Sequence, residues 1–198
     1  AVVIGAGNVA VDVARILLSD SNELAKTDID VSALNLLQTS QVKEVYICGR
    51  RGPEHSNFSL TELRELLNLT DVEVVIDEEL IERAIGRTKS DGTYKDKEIR
   101  NKLECMLNIS TKSFYNSSKK LMFKFFVSPI ENIGNEKIEA VKFKNSILEN
   151  DANNKSDENF KIECGLVISC IGYEPDKQAL GEIENGKLKN SAGKIYKN

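Results

Sequence analysis

The order of apolar runs along this 198-residue chain predicts an α/β fold: a doubly wound parallel sheet with an inserted antiparallel β-meander, in three β/β/α layers. Three observations predict it. Residues 1–4 are a short apolar, β-branched run that meets glycine and passes directly into a stretch with helical spacing. Further strand-like runs at residues 44–48 and 72–76 alternate with helical segments, the β-α-β-α-β order of a parallel sheet. Shorter runs at 119–127, 138–145 and 159–163 then follow one another without a helix between them, before a continuous apolar run, GLVISCI, at 165–171.

Each element follows from its residues. After Val9, the positions Val13, Ile16 and Leu17 recur at helical spacing and carry the first helix to about Leu18. Asp28 and Asp30 are N-cap candidates for a second helix with Leu34 and Leu37 on its inner face. EVYIC at 44–48 is a strand that ends in Gly49, Arg50, Arg51, Gly52 and Pro53. Ser59, with Glu62 three residues on, forms a capping box for a helix over 60–69. Residues 85–93 and 116–120 read as polar loops on either side of a helix near 96–107, and Lys119 and Lys120 as a solvated edge. The 115–163 stretch reads as a meander inserted ahead of GLVISCI, which has the continuous apolar character of a central parallel strand. Residues 149–159 are too polar to pack.

Composition narrows the function. Apolar residues are 40% and charged residues 29%, ordinary for a soluble domain, and no apolar run approaches the ~18 residues of a membrane span. A net charge of −4 argues against broad nucleic-acid binding. The four cysteines lie far apart and read as buried thiols, not as a disulfide frame or a metal site. With one histidine, His55, there is little room for a zinc centre or a histidine-based triad. The chain opens inside its first strand and its tail shows no closing element, so further segments on both sides are expected.

The chemistry concentrates in two stretches. In G-A-G-N-V-A, Gly5 permits a tight strand-to-helix turn and Gly7 lets the backbone approach a pyrophosphate. Ala10 stands where the Rossmann fingerprint tolerates a small residue in place of the third glycine. Backbone N–H groups of Asn8 and Val9 then face the phosphates with the helix dipole behind them. The tip of the second strand chooses the cofactor. A carboxylate there would accept from a ribose 2′-hydroxyl, whereas Arg50 and Arg51 grip a 2′-phosphate through bidentate bonds, so NADP(H) is favoured over NAD and FAD. About 40 residues separate turn and arginines, against the usual ~20, and the extra helix after Leu18 fills the difference. Glu62 and Glu65 share a helix face, but alone they read as ordinary helix chemistry, and His55 as an exposed loop residue.

The strings GNVAVDVARILL, ELAKTDI, GRRGP and the ELREL helix, followed in order by FKFFVSPIENI and CGLVISCIGYEP, resemble the adrenodoxin reductase family of FAD-containing NADPH:ferredoxin reductases. The resemblance covers most of residues 1–76, 121–144 and 164–175. It implies a Rossmann-like NADPH-binding domain over about residues 1–180, with 181–198 leading toward an FAD domain that this chain lacks. By position, it implies that Gly5, Ala6, Gly7, Asn8 and Val9 hold the pyrophosphate and that Arg50 and Arg51 bind the 2′-phosphate. It further implies that Glu62 contacts the nucleotide and that Glu65 lies near the nicotinamide, with no catalytic side chain and no metal. Ala6 replaces a glutamine typical of the family at a position that contributes mainly backbone. The parent enzyme would pass a hydride from NADPH to FAD, and then electrons to an adrenodoxin-type two-iron, two-sulfur ferredoxin. A mitochondrial location and an inactive isolated segment are the remaining expectations. The rivals are the NADPH domain of a glutamate synthase small-subunit-like flavoprotein, which usually lacks the GRRGP and ELREL pairing, and a standalone NADPH-sensing module.

Overall fold

The computed structural model describes residues 1–90, 97–110, 117–145 and 159–173, with short pieces at 183–184 and 187–189. Most of the polar 149–159 loop and of the 181–198 tail lies outside the described residues. The chain forms β1 (Val2–Ile4), α1 (Asn8–Leu18), a short α2 (Ser21–Leu24), α3 (Val31–Gln38) and β2 (Glu44–Cys48). A single 3-10 turn (Pro53–His55) leads to α4 (Leu60–Leu67), β3 (Val72–Val75), α5 (Glu78–Ser90) and α6 (Lys97–Ser110). Then come β4 (Lys119–Lys124), β5 (Val127–Ile133), β6 (Ala140–Asn145), β7 (Asn159–Glu163), β8 (Val167–Ser169) and the strands β9 (Ile183–Glu184) and β10 (Lys187–Leu188).

Side-chain oxygens start α3 and α4 as expected. Asp30 caps α3 by accepting from the Ser32 and Ala33 N–H groups, and Ser59 caps α4 by accepting from Glu62 N–H. Asp20 caps α2, which the sequence reading did not separate from its neighbours. Residues 85–90, expected as loop, are the end of α5. The helix near 96–107 is α6.

A five-stranded sheet runs in the order β3-β4-β2-β1-β8, with every pair parallel. Strands β5, β6 and β7 form a separate antiparallel sheet. The meander therefore begins at Val127, and residues 119–124 belong to the parallel sheet, between β2 and β3. Local chemistry draws them there. Lys119 Nζ donates to the carbonyls of Leu18 and Ser19, closing the C-terminus of α1, and Lys120 pairs with Glu73 at 2.9 Å. Asp71, in the left-handed region at φ 62°, accepts from Ser118 N–H at 2.8 Å and from its hydroxyl, which sets β4 beside β3. Lys119 is therefore not a loose solvated edge, whereas Lys120 stays exposed, as expected. GLVISCI also sits differently from its expectation, because β8 ends the sheet among the described residues instead of lying at its centre.

Strand alternation divides the sheet's side chains between two cores. Val3, Val45, Ile47, Val74, Leu121 and Phe123 face the helices, where Ala10, Ala14, Leu63, Leu66, Ile81, Leu103 and Met106 cover them. On the other face Val2 and Cys48 pack with Val127, Val141, Phe143, Ile162 and Cys164 of the meander and its exit. Three layers result, as expected: helices, parallel sheet, meander.

Candidate functional site

The carboxyl ends of β1, β2 and β8 open into one cleft of about 880 Å³. The carboxyl ends of the strands are the place where an open parallel sheet receives a ligand. Gly5, Ala6, Gly7, Asn8, Val9, Arg50 and Arg51 all line it. So the glycine turn and the arginine pair, about 40 residues apart in sequence, meet in space as expected.

The turn is built for close approach. Gly5 has φ +128°, and a Cβ there would lie 2.3 Å from the Cys170 carbonyl oxygen, so only glycine allows β1 and the end of β8 to touch. Gly7 differs. A Cβ there would meet no protein atom within 4 Å, so packing within this chain does not demand glycine. Gly7 is the N-cap of α1, with no side-chain cap bond, and the N–H groups of Asn8 and Val9 lack intrahelical acceptors. Ala10 is fully buried in the helix-side core, which is the packing role expected for the small residue at that position.

Hydrogen bonds tie the turn to the arginine loop. Asn57 N–H donates to the Ala6 carbonyl at 2.7 Å, and Val127 N–H to the Gly49 carbonyl at 3.0 Å. The Asn8 side-chain oxygen accepts from Ser59 N–H at 2.8 Å. That bond alters the capping box. Ser59 caps Glu62 N–H, but its own N–H goes to α1 and not back to the Glu62 carboxylate.

Glu62 and Glu65 do not line the cleft. Glu65 lies 4.0 Å from Arg15 Nε on α1, and Arg15 also pairs with Asp12 at 3.0 Å. His55 is exposed but does line the cleft, as do Ser56, Asn57, residues 127–129 and Ser169, Cys170, Ile171 and Gly172. Sequence reasoning did not name Asn57 or the meander and β8 residues. For β8 a signal existed, because a strand flanking β1 must end at the same crevice. For residues 127–129 there was none, since the meander reaches the cleft only through tertiary packing.

Burial keeps the thiols of the cleft protonated. The Cys48 thiol is pushed up to about 12 by loss of solvent, and burial also raises Cys170. Neither is a nucleophile near neutrality. Among the described residues no group of three His, Cys, Asp or Glu side chains could hold a metal, and no helix is long and apolar enough to cross a membrane.

No protein-family model matches the chain. The NADPH-ferredoxin reductase FprA of Mycobacterium tuberculosis is 35% identical over 202 residues, covering 98% of this chain. Its solved structure, described as FprA in complex with NADPH, superposes with a TM-score of 0.82 at 34% identity over 98% of this chain. This chain is a homologue of the adrenodoxin reductase-like ferredoxin–NADP reductases over one segment of their length. A mitochondrial NADPH:adrenodoxin oxidoreductase of Arabidopsis thaliana is 31% identical over 98% of the chain. The chain spans 44% of FprA and 43% of the plant reductase, less than half the length of the curated relatives it matches. One expectation is overturned. The mycobacterial reductases resemble the chain more than the mitochondrial plant reductase does, so the resemblance does not carry a mitochondrial location.

Proposed function

We propose that residues 1–180 are the NADP(H)-binding domain of a flavoprotein reductase, with the 181–198 tail leading on toward its flavin domain. The observation that carries this reading is the single cleft lined by the glycine turn and by Arg50 and Arg51. A diphosphate lies over Gly7, where a Cβ would meet no protein atom, and accepts from the N–H groups of Asn8 and Val9. Arg50 and Arg51, both exposed at the end of β2, hold the 2′-phosphate and exclude a carboxylate-type ribose site. Bound here, NADPH would supply a hydride to the FAD of the flavin domain, from which a two-iron, two-sulfur ferredoxin would draw electrons one at a time. The protein's work here is binding and orientation: the turn fixes the diphosphate, and the arginines fix the adenosine end. Glu62 and Glu65, which do not line the cleft, have no part in this reading.

Titration tests it. NADPH is expected to bind much more tightly than NADH, and equal affinities would sink the reading. Replacing both arginines by alanine is expected to weaken NADPH binding by ~2–5 kcal/mol, with NADH nearly unchanged. The ferredoxin step is tested with the flavin-loaded protein, where NADPH should bleach the flavin and a two-iron ferredoxin should restore its colour.

A further inference from the structure

The loop that carries Arg50 and Arg51 rests on two charged side chains from α5 and α6, the helices of a segment that lies outside the family's recognisable motifs. Arg87 of α5 donates from Nε to Glu54 Oε1 at 2.9 Å, and its Nη2 lies 2.9 Å from the same oxygen. The Glu54 side chain is only 10% exposed, and the Arg87 guanidinium also sits 5.8 Å from the centre of the Phe126 ring. Lys102 of α6 is buried at 4% exposure. Its ammonium donates to the Ser56 carbonyl at 2.5 Å and to the Phe58 carbonyl at 3.3 Å, with the Phe58 ring 5.3 Å away.

A buried charge is costly to maintain unless its partner holds it in a defined geometry. Both partners here belong to the loop: Glu54 follows the arginine pair by three residues, and Ser56 precedes Asn57, which bonds to the glycine turn. Gly52 belongs to the same arrangement. A Cβ on it would lie 2.3 Å from Glu54 Oε2 and 2.6 Å from Phe126, so glycine there is what lets the Glu54 carboxylate fold back beneath the loop. From the other side, Phe126 N–H donates to the Arg51 carbonyl at 3.3 Å. The backbone that bears the two arginines is thus gripped from front and back, while their side chains stay exposed toward the cleft.

We propose that Arg87 and Lys102 are positioning residues that set the preference for the 2′-phosphorylated nucleotide, by holding the Glu54 carboxylate and the Ser56 carbonyl so that Arg50 and Arg51 are preorganised. The proposal rests on the NADP(H) reading above. Preorganisation raises affinity by removing the cost of ordering the binding groups, so the brace acts on the arginine end of the site more than on the glycine turn.

The test is a pair of titrations, NADPH and NADH, on the wild-type protein and on Arg87→Met, Arg87→Lys and Lys102→Met, each with a urea melt. Arg87→Met is expected to raise the NADPH Kd about tenfold, equivalent to about 1.4 kcal/mol, while NADH moves by less than about twofold. Arg87→Lys, which keeps the charge, is expected to recover part of the loss. An unchanged NADPH-to-NADH ratio in folded Arg87→Met overturns the proposal. So does an equal loss of both nucleotides, which marks a merely structural role. Should the methionine variants not fold, Glu54→Gln keeps the shape and removes the charge; it is expected to lower the ratio in the same direction, and an unchanged ratio there also overturns the proposal. A wild-type protein without NADPH preference takes down the NADP(H) reading as well, whereas a wild-type preference that survives the variants refutes the brace alone.

Discussion

One sheet, two treatments: the part made of β1 and β2 is covered on both faces, and the part made of β3 and β4 on one. Helices cover the whole length of one face, from Val3 and Ile47 to Val74 and Leu121. The meander roofs only the first half of the other, where Val2 and Cys48 pack under Val141 and Phe143. On the second half the same face carries Glu73, Lys120 and Lys124, with Val75 41% exposed. The sequence follows the difference. VVI and YIC are apolar at every position, as doubly covered strands must be. VEVV and KKLMFK alternate, as half-covered strands do. The functional cleft opens at the end of the doubly covered half, where rigid walls on both sides can hold a loop still.

Three experiments would break or sharpen that contrast. The largest effect is expected from Phe143→Ala. Phe143 is fully buried and stacked on Phe160 at 5.6 Å, so its loss is expected to cost ~3–5 kcal/mol in a urea melt. A loss no greater than for an exposed residue would mean that the meander is not part of the cooperative fold.

Next comes pH. The Cys48 thiol is raised from 9.0 to about 12, chiefly because the doubly covered half excludes water. In the unfolded chain it ionises near 9.0; in the folded chain it stays neutral until about 12. Its contribution to stability is therefore complete below pH 9.0 and is lost progressively between 9.0 and about 12. The ceiling on that loss is about 4 kcal/mol, of order 1.4 kcal/mol per pH unit. Melts between pH 8.5 and 10.5 should show wild type losing stability faster than Cys48→Ala, and parallel curves would show that water reaches this thiol. The smallest effect belongs to the other half. Lys120 and Glu73 pair at 2.9 Å in solvent, and Lys120→Ala is expected to leave the urea midpoint within experimental scatter. A clear drop would mean that the open face is covered in solution.

Local chemistry was legible where it acts over a few residues. Ser59 and Asp30 cap the helices they were expected to cap, and the apolar runs at 2–4 and 44–48 are strands. KKLMFK was misplaced because its alternation describes one covered face and not which strands are its neighbours. The distant carbonyls of Leu18 and Ser19, and the Asp71 turn, decided that. VSPIENI was not separated as a strand, since Pro129 and the bulge between Pro129 and Glu131 break its period. Glu62 and Glu65 show the limit of spacing arguments. They share a helix, but that helix directs Glu65 toward Arg15 and neither carboxylate lines the cleft.

By itself the sequence determined the α/β class, the glycine turn and the basic strand end that speaks for a 2′-phosphate, because each depends on residues within one turn or one strand. Tertiary structure alone decided that the turn and the arginines share a cleft, that His55 and the start of β5 line it, and that Arg87 and Lys102 stand behind it. These are contacts between segments 30 to 120 residues apart. Packing of the whole core fixes such distances, and no local pattern of residue types encodes them.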